Sequence, residues 1–281
     1  MKLRAAWAVC LLLVSLAAAD VAAYEYVGSL FDLGSSARGL GLGGAFTALA
    51  DDEGCVLHNP AGLGWRDAVG VSSLYVRQFG GLTYGAIAVA LPYVGVDVML
   101  LDSGLIPTSG GTTRYSSQGF VAAGGFALGP VGIGARWRLL RVSAPSPGSG
   151  WSLDPALQFA TSVVRAGAIL EGALSSAMAY ESGSQEAWER SLRLGVALTL
   201  EPGPDVAWNA AFEASGLFSS SPVLSAGLEA WIGGMGARVG FDGEALTYGL
   251  SVRFAGLQLD WAYASRTDLG ESHRVSFSFR F

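Results

Sequence analysis

Residues 247–254, with the sequence TYGLSVRF, alternate between two kinds of side chain. One face carries the large apolar residues Tyr248, Leu250, Val252 and Phe254, and the other face carries small, polar or charged residues. A period of two residues is typical of a β-strand whose two faces meet different surroundings. A soluble sandwich also produces this pattern, but here similar segments approach the roughly nine to eleven residues that a strand needs to cross a membrane. The alternation therefore favours a transmembrane β-barrel.

The composition of the whole chain agrees with that interpretation. Of its 281 residues, 51% are hydrophobic and only 14% are charged, whereas about 25% of a typical soluble domain is charged. After the N-terminus no run of about eighteen apolar residues occurs, which argues against transmembrane helices. In a β-barrel only alternate residues face lipid, so the apolar content is diluted along the chain.

Turn residues divide the chain after Arg66 into about fourteen predicted strands. Their spans are 67–78, 82–92, 94–102, 116–128, 130–142, 151–162, 165–180, 188–200, 205–214, 222–232, 235–242, 245–254, 256–265 and 271–281. We therefore predict an all-β fold, a transmembrane antiparallel β-barrel of about 14 strands with an N-terminal plug segment. An even number of strands places both ends of the barrel on the same side of the membrane.

The predicted connections differ in length. Short turns are expected at 80–81, 128–130, 233–234 and 242–244, and longer loops at 104–114, 143–150, 181–187 and 216–221. In outer-membrane barrels the longer loops face outward and the short turns face the periplasm. The short Gly80-Gly81 connection does not fit this rule, because the first hairpin loop should be external.

The N-terminus has the features of a secretory signal peptide. Lys2 and Arg4 precede an apolar stretch at 5–16, and Val21-Ala22-Ala23 supplies small residues before a cut ahead of Tyr24, with Ala17-Ala18-Ala19 as a second cleavage site. The expected division is 1–23 signal peptide, 24–64 N-terminal lead and plug, and 65–281 barrel. The expected location is the outer membrane of a diderm bacterium, in contact with outer-membrane lipid.

Charge and cysteine content restrict the partners of the exported chain. Removal of residues 1–23 leaves 15 basic and 22 acidic residues, and every remaining cation is an arginine. Without a basic tract, nucleic acid is not an expected partner. Cys55 is the only cysteine left, so an internal disulfide is excluded.

Residues 36–64, SARGLGLGGAFTALADDEGCVLHNPAGLG, differ in composition from the alternating segments and form the predicted plug. Ser35 or Ser36 is expected to cap one short helix, and Asp51 or Asp52 a second one that runs to about His58, before Pro60 ends it. Four glycines would let the backbone bend sharply or approach a wall closely: Gly39, Gly41, Gly43 and Gly44.

Three alternative site types fit the plug poorly. Gly39, Gly41 and Gly44 match G-x-G-x-x-G, but no strand precedes them and no long helix follows, as dinucleotide binding requires. The spacing of the 51–53 acids and His58 fits no calcium or zinc pattern. No Gly-x-Ser-x-Gly motif is present and neither histidine has recognisable triad partners. We therefore predict no metal site, no cofactor and no enzymatic activity.

Charged residues collect on the predicted inner face of the C-terminal half. The predicted ladder comprises Glu229, Arg238, Arg253, Asp260 and Arg274, and the same face carries Glu171, Arg193, Glu213, Asp242 and Arg280. Arginine and carboxylate on neighbouring strands can pair inside a barrel, which would either hold barrel and plug together or line a path for charged solutes. Pro155 removes a ladder donor, so it predicts a break in the wall unless it lies in an external loop.

Several stretches resemble the PorV/PorQ family of outer-membrane proteins, itself similar to FadL-like channels of the OmpP/FadL/TodX type. They are SARGLGLGGAF at 36–46, Ala50-Asp51-Asp52, Asn59-Pro60-Ala61-Gly62-Leu63, Gly227-Leu228-Glu229, Arg238-Val239-Gly240-Phe241, Asp260-Trp261-Ala262-Tyr263 and His273-Arg274-Val275-Ser276. The resemblance covers both ends well and residues 100–215 poorly. His58 and Cys55 depart from the family pattern.

The resemblance implies a fourteen-stranded barrel with a plug anchored by Asn59-Pro60-Ala61. FadL-like members take up hydrophobic small molecules such as long-chain fatty acids, whereas PorV-like members serve type IX secretion and surface assembly without transport of their own. The alternating last strand ends at Phe281 and resembles the signal that the barrel assembly machinery reads. The expected partners are thus this machinery, lipid, and either a hydrophobic small molecule or secretion proteins.

Overall fold

The computed structural model describes residues 26–78, 82–143, 146–219, 222–266 and 270–281. The expected signal peptide at 1–23 and the expected turn at Gly80-Gly81 lie outside these residues. The expected loops at 143–150 and 216–221 lie partly outside them.

Fourteen antiparallel strands form the barrel wall in the part of the chain that the structure describes. They are β1 (Gly70–Gln78), β2 (Leu82–Ala90), β3 (Val94–Thr108), β4 (Gly111–Leu128), β5 (Val131–Val142), β6 (Gly148–Ala160), β7 (Val164–Glu171), β8 (Ser191–Gly203), β9 (Val206–Leu217), β10 (Val223–Ile232), β11 (Met235–Phe241), β12 (Leu246–Phe254), β13 (Leu257–Arg266) and β14 (Gly270–Arg280). Each strand pairs with its neighbour in sequence, and β14 closes the barrel by pairing with β1, where Val275 lies opposite Tyr75. Closure leaves no free sheet edge. The prediction of an all-β barrel with fourteen strands is confirmed.

The wall carries its large apolar side chains on the outside. On β12, Leu250 is 57% and Val252 58% exposed, whereas Ser251 between them is only 4% exposed. The other strands repeat this pattern, with apolar side chains such as Ile87 and Phe277 outside. An apolar exterior on a closed barrel is stable in lipid, because every strand satisfies its backbone groups with its neighbours.

The N-terminal chain runs through the lumen as a plug. A short strand, Tyr26–Val27, pairs in parallel with Ala187–Trp188. The helices α1 (Ser29–Asp32), α2 (Ala37–Gly41) and α3 (Cys55–His58) follow, and then a 3-10 helix, Pro60–Trp65, leads to β1. No helix among the described residues is both long enough and apolar enough to span a membrane.

Two predicted strand boundaries are wrong. The expected strand 165–180 ends at Glu171, because Gly172 adopts a φ of +64° and the chain then folds into the short strands Leu174–Ser175, Met178–Tyr180 and Gln185–Trp188. The expected loop 104–114 is instead a hairpin formed by the ends of β3 and β4, in which Ile106 pairs with Thr113. Its glycines indicated a loop, but the cross-strand pairs of β-branched residues extend the sheet.

The two ends of the barrel differ. At the end near the C-terminus, which we call the turn side, two or three residues connect successive strands, as at 129–130 and 233–234. At the opposite end, the loop side, the connections include 172–190, although the tight turn at 242–245 also lies there. Short connections therefore occur on both sides of the barrel. In outer-membrane barrels the loop side faces outward.

Candidate functional site

The plug packs against the wall through glycines on both. A Cβ atom added to Gly41 in α2 would lie 3.2 Å from the Cα of Gly249 in β12, and one added to Gly43, whose φ is +68°, would lie 2.3 Å from the Phe241 carbonyl oxygen. Gly39 faces Phe46 and the Nε2 of His58, and Gly44 has a φ of +82°. Among these positions Gly41 and Gly43 permit the close approach of plug and wall.

Lumen-facing glycines of the wall leave room for the plug backbone. A Cβ on Gly227 in β10 would lie 2.5 Å from the Leu42 carbonyl oxygen, and one on Gly240 in β11 would lie 2.3 Å from the Gly43 nitrogen. Real Cβ atoms do not approach backbone atoms this closely. The plug can lie this close to the wall because the wall carries glycines, which have no side chains, at these positions. Its position therefore depends on these glycines as much as on direct contacts.

Arg38 in α2 connects the plug to the wall. The Ser36 hydroxyl begins this helix by accepting hydrogen bonds from the Arg38 and Gly39 nitrogens. The guanidinium makes two bonds of 2.8 Å to the Glu229 carboxylate in β10. It also contacts Asp51 at 2.5 Å and Asp52 at 3.1 Å, so both aspartates bind a plug arginine.

The five residues of the predicted charge ladder occupy different environments. Arg238 bonds to Glu229 at 2.5 Å and lies 3.3 Å from Asp260, so these three form a continuous cluster with Arg38. Arg253 instead lies over the Trp231 ring at 4.2 Å and bonds to Gln258. Arg274 donates to the Leu33 carbonyl oxygen at 3.0 Å, which is a contact with the plug.

A second buried cluster lies on β5 to β8, and we did not predict most of it. Asp154 accepts a hydrogen bond from Arg136 at 2.8 Å and forms an ion pair with the Nε of Arg138 at 2.7 Å. Glu171 binds Arg136 at 2.5 Å and Arg193 at 3.1 Å. Arg136 and Arg138 alternate with the exposed Trp137, so the period of two on the predicted strand 130–142 was the signal that would have placed them inside.

Residues 45–49 of the plug, which we call the suspended segment, belong to neither a helix nor a strand. The Glu213 carboxylate accepts hydrogen bonds from the Phe46 and Thr47 nitrogens, at 3.1 and 2.9 Å. The Gln158 amide donates to the Ala48 and Leu49 carbonyl oxygens, at 2.7 and 3.2 Å. Side chains of the wall thus replace the backbone partners that secondary structure would supply.

Asn59-Pro60-Ala61 lies where the plug meets the wall. The Asn59 amide donates to the Thr47 carbonyl oxygen at 2.9 Å and to the Leu157 carbonyl oxygen of β6 at 3.1 Å, and its Oδ1 accepts from the Ala61 nitrogen. A Cβ on Gly125 would lie 2.1 Å from the Pro60 carbonyl oxygen. Asn59 therefore bonds to the suspended segment, to the wall and to the first turn of the 3-10 helix.

Glu53 connects the end of the plug to the last strand. Its carboxylate binds Arg66 at 3.0 Å and Arg280 at 2.8 Å. Burial acts to raise the pKa of Glu53, but its bond to Arg280 and the charge of Arg280 hold that pKa below its ordinary value. Burial, together with the charges of Glu53 and Asp51, raises the pKa of Asp52, whose Oδ1 accepts from the Gly54 nitrogen.

The two plug residues that depart from the family pattern are buried in its interior. Burial raises the pKa of the Cys55 thiol, which therefore stays protonated. Burial also lowers the pKa of His58 to about 3, with smaller contributions from Arg193 and Arg136. The His58 ring meets the Phe46 ring edge-on, with centroids 5.3 Å apart. Both residues act as neutral packing groups.

Pro155 lies inside β6, not in an external loop, and pairs with Ala135 of β5. On the opposite edge of β6, backbone pairing with β7 ends where Ala156 lies opposite Ile169. Pairing resumes where Leu153 lies opposite Leu174 of the next short strand. Two residues of β6 therefore face four residues, 170–173, of the next segment. The buried Asp154 carboxylate closes the inner side of this irregularity by accepting from the Gly172 nitrogen at 2.8 Å.

Two cavities lie in the lumen, one toward each end. The loop-side cavity has a volume of about 750 Å³, and its lining includes Gly43 and Gly44 of the plug. The turn-side cavity has a volume of about 420 Å³, and its lining includes Leu49 and Asp51. The suspended segment therefore lies between the two cavities.

The architecture is similar to that of solved channel structures. The CymD monoaromatic hydrocarbon channel superposes with a TM-score of 0.60 at 12% sequence identity, over 89% of this chain and 98% of that one. This chain shares the fold of that channel. A deltaS2S3 mutant of the TodX monoaromatic hydrocarbon channel gives a TM-score of 0.57 at 13% identity, over 88% and 99% of the two chains. A Pseudomonas aeruginosa FadL homologue gives 0.51 at 10% identity, over 92% and 99%.

The sequence comparisons found no relative. No family model matches the chain, and no curated protein matches it. At identities of 10 to 13% the structural similarity concerns the fold alone.

Proposed function

We propose that this protein is an outer-membrane channel for the uptake of hydrophobic small molecules. The observation that carries the proposal is the arrangement of two cavities on either side of one plug segment that has no secondary structure of its own. A cavity of about 750 Å³ falls in the range of roughly 300–1,000 Å³ typical of small-molecule sites. The apolar exterior and the fold shared with hydrocarbon channels support the same proposal.

In this proposal the ligand binds first on the loop side, and the suspended segment then moves to let it pass. Glu213, Asn59 and Gln158 hold that segment through a small number of hydrogen bonds. A neutral hydrogen bond contributes about 0.5–1.5 kcal/mol net and a bond to a charged carboxylate about 1.5–3 kcal/mol, so we propose that these few bonds can break without unfolding the barrel. The irregular ladder at Pro155 is the proposed lateral exit, which Asp154 keeps closed.

The proposed route to the membrane follows from both ends of the chain. The segment at 1–23 would direct export and then be cleaved. Phe281, which is exposed and stacks on Phe279 with centroids 5.4 Å apart, would be read by the barrel assembly machinery.

The first test compares the uptake of a panel of hydrophobic molecules, including aromatic hydrocarbons, alcohols and long-chain fatty acids, in cells with and without the gene. Faster uptake of at least one class in cells that carry the gene is the expected result. Equal uptake across the whole panel would refute the channel proposal.

The second test fixes the suspended segment to the wall. A Cβ on Gly195 of β8 would lie 3.3 Å from the Ala48 Cβ, close to the separation of about 3.5–4.5 Å in disulfides. The double variant Ala48→Cys, Gly195→Cys should lose uptake when oxidised and regain it when reduced. Each single variant is the matched control, since Cys55 is buried and should not react. Full uptake by the oxidised double variant would exclude this segment as the gate.

A second candidate function is a component of protein secretion or surface assembly. One observation favours it: β3 and β4, with 15 and 18 residues, extend past the membrane and expose Leu105 and Ile106 at the loop side. Affinity capture in mild detergent should then recover a secreted client or a secretion protein, and Leu105→Ser with Ile106→Ser should prevent recovery. This candidate predicts no gene-dependent uptake in the panel above.

A further inference from the structure

The charges that line the loop-side cavity are unequal in number. Among the described lining residues, two arginines face five carboxylates. The arginines are Arg193 and Arg274, and the carboxylates are Asp32, Glu171, Glu189, Glu213 and Asp242. A ligand in this cavity therefore meets more negative than positive side chains.

Arg193 pairs with three carboxylates of the same cavity. Its guanidinium lies 2.9 Å from Asp32, 3.1 Å from Glu171 and 3.5 Å from Glu213. These three contacts use both terminal nitrogens and Nε. A carboxylate ligand that approached the remaining N–H groups of Arg193 would lie beside the three carboxylates that already pair with this arginine, and like charges oppose such binding.

Arg274, the second arginine, binds protein groups as well. Its Nη1 donates to the Leu33 carbonyl oxygen at 3.0 Å and its Nε to the Ser272 hydroxyl at 3.2 Å. The first of these bonds holds α1 and its following turn against β14. Arg274 therefore has a structural role in the contact between plug and wall.

The remaining lining is apolar or carries hydroxyl groups. The lining includes Leu30, Leu33 and Leu40 of the plug and Leu101 and Leu140 of the wall. Hydroxyl groups from several strands, such as that of Ser191, lie among them. Such a lining suits an apolar molecule that carries at most a neutral hydrogen-bonding group.

We propose that the loop-side cavity binds neutral hydrophobic molecules, with or without a hydroxyl group, and rejects the corresponding carboxylates. An ionised fatty acid would bring a negative charge among five carboxylates, three of which already pair with Arg193. A charge taken out of water without a partner is costly, and like charges oppose it further. This proposal rests on the channel function proposed above and narrows its ligand class.

The test uses 1-octanol and octanoate, which have the same chain length and differ in charge at neutral pH. Binding to the purified full-length protein is measured by isothermal titration calorimetry in detergent micelles, with protein-free micelles as the blank. Octanoate is expected to bind at least about tenfold more weakly than octanol. Equal affinities would overturn charge selection and leave the channel proposal standing. Binding of neither ligand would overturn both proposals.

Charge variants show whether the carboxylates cause the selection. Glu189→Gln with Asp242→Asn removes two negative charges from the lining and should raise the affinity for octanoate relative to that for octanol at least about threefold. Glu201→Gln, at the turn-side end of β8, makes the same kind of change far from the cavity and should alter neither affinity. If wild-type protein binds octanoate tightly and Arg274→Gln abolishes that binding, Arg274 is a carboxylate receptor and the proposal is wrong.

Discussion

Arg38 of the plug and Glu229 of the wall form a buried, two-pronged ion pair, with Nε to Oε2 and Nη2 to Oε1 both at 2.8 Å. Glu229 also accepts from Arg238 at 2.5 Å and from the Asn209 amide at 2.8 Å. One carboxylate of β10 thus joins the plug to three wall strands. Because Arg38 lies in α2, this non-covalent contact joins a helix of the plug directly to the wall.

The first expectation concerns this pair. Glu229→Gln would leave Arg38 and Arg238 buried with less compensating charge, and removal of one partner of a buried pair costs about 3–5 kcal/mol. We expect the plug to loosen, with a higher and noisier ion conductance in planar bilayers. Asp102→Asn changes an exposed Asp102–Arg114 pair on the loop-side hairpin and should leave conductance as in the wild type. Equal conductance in both variants would show that Glu229 does not hold the plug.

The second expectation concerns close approach at Gly227. An added Cβ would lie 2.5 Å from the Leu42 carbonyl oxygen, so Gly227→Ala must displace the plug backbone. Overpacking of this kind costs about 1–3 kcal/mol. We expect faster proteolysis of the plug in intact barrels. Gly85→Ala is the matched control, because its Cβ would meet only the Leu74 carbonyl oxygen at an ordinary 3.6 Å. Similar proteolysis rates for the two variants would contradict the packing role of Gly227.

The third expectation concerns Asn59. Asn59→Ala removes bonds to the Thr47 and Leu157 carbonyl oxygens, and each unpaired buried group costs about 1–3 kcal/mol. The channel should become leaky to small polar solutes in proteoliposome swelling assays. Ser36→Ala also removes a helix cap from the plug, but its cap bonds stay within the plug. The Ser36→Ala channel should leak less than the Asn59→Ala channel. Equal leakage by the two variants would mean that loss of a helix cap alone causes the leak.

The fourth expectation concerns pH. Burial holds the pKa of His58 at about 3, below its ordinary value of about 6.5. Between these values the unfolded chain binds a proton that the folded chain does not, so the free energy of unfolding falls as pH drops below about 6.5. Above that pH the contribution is complete. We expect the thermal midpoint of the wild type to fall more steeply than that of His58→Phe between about pH 6.5 and 4.5. Parallel curves would mean that His58 titrates normally.

Much of the wall was predictable from local pattern. The alternation at 247–254 placed Leu250 and Val252 outside and Ser251 inside, because a strand fixes which side chains share a face. The expected loop at 104–114 was wrong because its glycines indicated a loop, whereas Ile106 pairs with Thr113 of the next strand and extends the hairpin. The strand expected to reach residue 180 ends instead at Glu171, because Gly172 adopts a φ of +64° and the chain turns there.

The lumen was less predictable than the wall. Glu229, Arg238 and Asp260 were expected on one face, and the structure brings them together. The sequence did not predict the pairing with their principal plug partner, Arg38, which lies in the stretch at 36–46 that resembles the PorV/PorQ family. Arg136 and Arg138 were missed although the period of two places them inside, and their pairing with Asp154 depends on register, which a single strand does not reveal.

The sequence by itself determined that the chain forms a barrel of about fourteen strands with a plug of different composition, since a two-residue period and strand length are local properties. Only the tertiary structure decided how the plug sits. The glycines of β10 and β11 admit the backbone of residues 42–43, Glu213 and Gln158 hold the suspended segment, and carboxylates from the plug, the strands and their connections meet around one cavity. The contacts between plug and wall join residues more than a hundred positions apart, and only the folded barrel brings them together.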